Sequence, residues 1–75
     1  MNLSEKNFLR ELGYRIREHR QARNWTQADL AQRCDLHRTF IGSVERGERN
    51  LSILNLRLIA KVLRVPTAQL VDGLP

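Results

Sequence analysis

The sequence predicts an all-α protein: a compact bundle of about five short helices in a single domain spanning residues 1–75. Three observations predict it. Apolar residues recur at spacings of three and four in separate segments, the period of a helix with one buried face. Helix-capping or helix-breaking residues stand between those segments. No stretch alternates with the period of a strand, and no low-complexity tract interrupts the chain. At 75 residues the core must be thin, because a chain of this size buries only a little over ~60% of its unfolded surface.

From about Ser4 the apolar positions Phe8, Leu9, Leu12 and Ile16 predict an amphipathic first helix running to about Arg23, with Asn24 ending it. Thr26 then supplies an N-cap hydroxyl, Asp29 stands at the third helical position as a short capping box, and Trp25 and Leu30 form a hydrophobic staple. The second helix is short, Gln27 to Cys34, because Asp35 suits a left-handed turn and the apolar phase restarts at Leu36. A third helix starts at about Arg38. Its inner face is Ile41, Val44 and the stem of Glu45, its outward face Arg38, Thr39, Gly42, Ser43 and Arg46, and Gly47 suits its C-terminus. After the loop Glu48–Arg49–Asn50, Ser52 caps a fourth helix from Ile53 to Leu63 with Leu56, Ile59, Ala60 and Leu63 on its core stripe. Arg64 to Pro66 break the chain before a last helix, Thr67 to about Val71.

Composition narrows the function. Cys34 is the only cysteine, which excludes an internal disulfide framework and any cysteine-rich zinc site. The two histidines, His19 and His37, lie too far apart in sequence for ligand spacing, so no metal and no cofactor is expected. No paired carboxylates, activated nucleophile or phosphate-cradling glycine loop suggests an enzyme. No apolar stretch reaches the ~20 residues that span a bilayer, and the N-terminus lacks a signal-peptide core, so a cytoplasmic protein without a membrane partner is expected. Thirteen basic against eight acidic residues give a net charge of +5 and a pI near 10.7, a balance that favours a polyanion. Eleven of the thirteen are arginine, whose planar fork pairs bidentately with guanine or phosphate.

Two helices of about eight residues joined by a tight turn, the second with a polar outer face, form the unit that can place one helix in a major groove ~12 Å wide. The run from Thr26 through Asn50, TQADLAQRCDLHRTFIGSVERGERN, resembles the Cro and repressor type of helix-turn-helix regulator. The resemblance extends from about Leu12 to Leu70, and HRTFIGSVERGERN is most similar to the small controller proteins of bacterial restriction-modification systems. It implies double-stranded DNA as partner and assigns roles residue by residue. Arg38, Thr39 and Ser43 match base-reading positions. Gln27 matches a phosphate contact at a helix N-terminus, His37 stands at the N-cap of the third helix, where it can donate to a phosphate, and Arg46, Arg49 and Asn50 match contacts to the backbone or minor groove.

Glu45 falls one turn from Ile41, and Arg20 one turn from Ile16, so each charge lies near an apolar stripe. Their pairing would avoid two unpaired buried charges and brace the first helix against the third, as the matching pair does in the proteins this chain resembles. Leu54, Leu58 and Val62 recur every four residues beside the core row of helix four, and Val71 and Leu74 follow. That second stripe predicts a homodimer built on helices four and five. The operator would then carry inverted half-sites about one helical turn apart, ~34 to 36 Å. RNA polymerase is a candidate further partner. The competing classes are a generic phage or chromosomal repressor and an antitoxin-like protein-binding module.

Overall fold

The computed structural model describes residues 1–75 as five helices: α1 (Leu3–Ala22), α2 (Gln27–Cys34), α3 (Arg38–Glu45), α4 (Ile53–Leu63) and α5 (Thr67–Val71). The bounds of α2, α4 and α5 agree with the sequence pattern. At α1 they differ: the helix starts a residue earlier, because Asn2 accepts from the Glu5 N–H while the Glu5 carboxylate accepts from the Asn2 N–H, forming a capping box. The Thr26 box is reciprocal in the same way, at 3.0 and 2.8 Å.

Four helix ends are sharp for one shared reason. Asn24, Asp35, Gly47 and Arg64 each adopt positive φ. Behind each, the next amide reaches back over the last turn: Trp25 to Arg20, Leu36 to Ala31, Glu48 to Ser43 and Val65 to Ala60. Carbonyls that a helix end leaves open are thereby satisfied before the chain turns.

The core is built where α1, α2, α3 and α4 converge, with Ile16, Leu30, Ile41, Ile59, Leu63 and Leu70 wholly buried. Helix α2 packs chiefly on α3, and α1 crosses α3 and carries α5. The crossing of α1 on α3 is backbone on backbone. A Cβ at Gly13 would lie 2.4 Å from the Val44 carbonyl oxygen and 2.5 Å from that of Glu45. Gly47, at φ 76°, brings the end of α3 equally close to Arg10 on α1. A mid-helix glycine costs about 1 kcal/mol relative to alanine, a cost accepted here because α3 is seated by direct contact of two main chains. On the far side, the Arg15 guanidinium donates to the Gln69 and Asp72 carbonyls and pins α5 to α1.

Candidate nucleic-acid interface

Helix α3 has two faces with different chemistry. Inward, Ile41 and Val44 enter the core and Glu45 is 8% exposed. The Glu45 carboxylate accepts from Arg20 Nε at 2.7 Å and from Arg20 Nη2 at 2.9 Å. Arg20 is itself buried, and its Nη1 donates to the Trp25 carbonyl at 2.7 Å. The hydrogen bond to Glu45 raises the Arg20 pKa above its already high value against the opposing pull of burial. No buried polar side-chain atom lacks a partner, so the charges carry little of the cost that unpaired burial would impose.

Gln27 joins this pair. Its Nε2 donates to Glu45 Oε1 at 3.0 Å, so one carboxylate ties the last turn of α1, the first residue of α2 and the end of α3 together. The sequence reading placed that side-chain amide on a phosphate. In the structure the amide is half-buried and engaged, which leaves the Gln27 and Ala28 backbone N–H groups as the free donors of the α2 N-terminus, the Asp29 N–H being taken by Thr26. The reading of Gly42 is corrected. It does not stand open on the outward face: it is buried, with Gln27 Oε1 3.3 Å and Arg46 Nη1 3.2 Å from where a Cβ would stand. Gly42 instead makes room for the Gln27 side chain that reaches Glu45.

Outward, Arg38 and Thr39 occupy the first turn of α3, both exposed, and neither side chain makes a hydrogen bond within the chain. His37 precedes them as an exposed N-cap in extended backbone with no side-chain cap bond. Ser43, one turn on from Thr39, is half-buried; its hydroxyl donates to the Phe40 carbonyl at 2.8 Å and accepts from Arg49 Nε at 3.4 Å. The Arg49 guanidinium also lies over the Phe40 ring, 5.4 Å from its centroid. A long, flexible cation in the loop after α3 is thus held against the side of that helix, a contact absent from the sequence reading because it closes across six residues of loop. Arg46 pairs with Glu48 at 3.0 and 3.2 Å, both side chains more than half exposed. Such a pair is open to salt and to exchange for a phosphate. Asn50 is exposed farther along the same loop.

The apolar stripe of α4 divides. Leu54 is 69% exposed, whereas Leu58, Val62, Val71 and Leu74 are half-buried at the edge of the core. Val62 turns toward Trp25, away from the hollow that Leu54 and Leu58 share with Arg57 and Lys61. Ile53, which the every-fourth-residue pattern passed over, is 71% exposed beside Leu54. It borders a groove floored by Phe8, Leu9, Leu51 and Leu56. No three His, Cys, Asp or Glu side chains converge. Cys34 is buried, which pushes its thiol pKa up, and no helix is long and apolar enough to cross a membrane.

This arrangement has relatives. The family model described as Helix-turn-helix matches residues 16–70. Control protein C.BamHI of Bacillus amyloliquefaciens is 44% identical over 61 residues, 80% of this chain and 75% of that protein. The crystal structure of the restriction-modification controller protein C.AhdI from Aeromonas hydrophila has a TM-score of 0.80 at 39% identity, covering 83% of this chain and 94% of the other. The controller protein C.Esp1396I, solved as a tetramer in complex with its natural 35 base-pair operator, has a TM-score of 0.78 at 37% identity, covering 89% and 88%. By the extent of these matches, the chain belongs to the helix-turn-helix family of transcriptional regulators and, within it, to the restriction-modification controller proteins.

Proposed function

We propose that this protein is a sequence-specific DNA-binding regulator of transcription that controls a restriction-modification system as a homodimer on an inverted-repeat operator. The observation that carries the reading is the division of α3. Its inner face is fixed by a buried ion pair and a glycine seam, while Arg38 and Thr39 on its first turn are exposed and uncommitted. A helix held that way can enter a major groove as a rigid reader, Arg38 pairing with guanine O6 and N7 and Thr39 meeting a neighbouring base edge. Ser43 contributes an acceptor beside them and holds Arg49, which reaches the backbone or minor groove with Arg46 and Asn50. His37 and the α2 N-terminus at Gln27 face phosphates. The net charge of +5 supplies the sequence-independent attraction.

Homodimerisation rests on Leu54 and Ile53, too exposed to serve the monomer's core, with Leu58, Val71 and Leu74 lending their outer edges from α4 and α5, while Val62, turned toward Trp25, lies outside that surface. The tetrameric, operator-bound state of C.Esp1396I supports both the partner and assembly beyond a monomer. A cytoplasmic location and a contact with RNA polymerase follow from regulation of transcription. Selection of bound duplexes from random DNA tests the function: it should recover a pair of inverted half-sites about one helical turn apart. Recovery of no shared sequence, with uniform salt-sensitive affinity for any duplex, would reduce the protein to a nonspecific binder.

A further inference from the structure

Away from α3, two arginines lie over one tryptophan and a third lines the same hollow. Arg33 lies over the Trp25 ring at 4.2 Å and Arg23 at 5.9 Å. Arg23, Trp25, Arg33, Val62 and Arg64 together line a surface hollow of about 330 Å³. Neither of the chain's two salt bridges, Arg20–Glu45 and Arg46–Glu48, involves these three arginines. The Asp29 carboxylate, one turn before Arg33, is committed to the Thr26 cap. Arg23, Arg33 and Arg64 each lie at or near a helix C-terminus, where positive charge is favoured. That preference explains a cation at each end. It does not explain their convergence on one hollow, nor an arginine at φ 60°, where glycine would be less strained.

We infer that the Arg23–Trp25–Arg33–Arg64 hollow is a docking site for an acidic polypeptide segment of a partner protein. Guanidinium forks pair with carboxylates in bidentate fashion, and the indole and Val62 offer an apolar floor to the methylenes that carry those carboxylates. The position argues against operator DNA as the occupant. Gln27 turns toward Glu45 of α3, while Arg33, six residues on, projects about 240° farther round α2. No residue of α3 or of the loop after it lines the hollow, so Arg38 and Thr39 can meet a duplex without drawing on it. The inference goes beyond DNA binding and is testable on the free protein as well as the bound one.

Trp25 is the only tryptophan, so its fluorescence reports on the site directly. Hexaglutamate is titrated against the protein, free and bound to a duplex recovered by selection, with hexalysine and inorganic phosphate as control probes. The expected result is a saturable change in Trp25 emission with hexaglutamate alone, in both states. The Arg33→Ala/Arg64→Gly double variant should weaken it about fivefold, the loss expected for two exposed charge pairs. Arg64→Gly relieves a left-handed arginine and should raise Tm, so lost binding would not reflect lost folding. Base preference should be unchanged in both variants, and DNA affinity should fall by no more than the lowered net charge accounts for, well short of the loss in Arg38→Ala. No saturable response, a response reproduced by inorganic phosphate, or one abolished by the duplex would overturn the proposal, as would a loss of DNA affinity in Arg33→Ala/Arg64→Gly matching that of Arg38→Ala.

Discussion

The inner and outer faces of α3 are separated by half a turn of helix and differ in almost every physical respect. Inward, Glu45 is paired, buried and shared among three helices, and Gly13 lets two backbones touch. Outward, Arg38 and Thr39 are exposed and make no side-chain hydrogen bond, and Arg49 is held only by a long hydrogen bond and a ring face. The difference teaches where a thin-cored protein places its stability. Reading a groove requires side chains free to meet bases on a helix that does not move, so the order is concentrated on the face that never meets DNA.

Substitutions that break the inner face should therefore cost stability and leave base preference alone. The largest loss is expected at Gly13→Ala, where the new methyl meets two carbonyl oxygens that cannot move without unseating α3. About 4 kcal/mol is expected, much of the stability of so small a domain, read by thermal or denaturant unfolding. Glu45→Ala should follow at about 3 kcal/mol, because Arg20 is left buried without its partner. Replacing Arg20 and Glu45 together by methionine should cost less than the two single replacements summed; strict additivity would mean that the pair does not interact.

Some of this contrast was legible in the sequence. Local chemistry was readable: Thr26 with Asp29, Ser52 before Ile53, and Asp35 in a left-handed turn each act within one helical turn, and they place α2 and α4 to the residue. Arg20 and Glu45 drew attention because each stood one turn from a core isoleucine. What was hidden is non-local. Gly13 resembles a mild helix defect until the α3 carbonyls more than thirty residues on come into view. Gln27 reads as a free N-terminal residue, and Gly42 as an exposed one, because the reach of Gln27 past Gly42 to Glu45 depends on how α2 lies across α3. Ile53 was missed because a strict every-fourth-residue stripe excludes a neighbour that the N-terminal end of α4 exposes.

Two smaller effects sharpen the comparison away from α3. Leu54→Glu should leave the monomer's Tm nearly unchanged, since that side chain is 69% exposed, while sedimentation shows a shift from dimer to monomer and DNA binding weakens. A wild-type chain that stays monomeric at tens of micromolar, free and on DNA, would remove the dimer. At the α2 cap, the Thr26 N–H and then its hydroxyl hold the Asp29 carboxyl below its usual pKa. A carboxylate depressed in the folded state stabilises above its unfolded pKa of about 4, and that contribution is lost as pH falls through the folded value. Asp29→Asn should flatten this acid limb of the stability curve, and Thr26→Ala should cost about 1 kcal/mol at neutral pH.

The most direct measurement compares Arg38→Ala and Arg49→Ala by quantitative titration on the selected operator and on variants of it, at several salt concentrations. Arg38→Ala should lose about 1 to 3 kcal/mol on the best site and much less where the paired guanine has been replaced, with folding stability intact. Arg49→Ala should weaken all sites about equally and lower the slope of log affinity against log salt by about 1. If Arg38→Ala instead weakens every sequence alike while Arg49→Ala alters base preference, the first turn of α3 is not the reading surface and the loop behind it is.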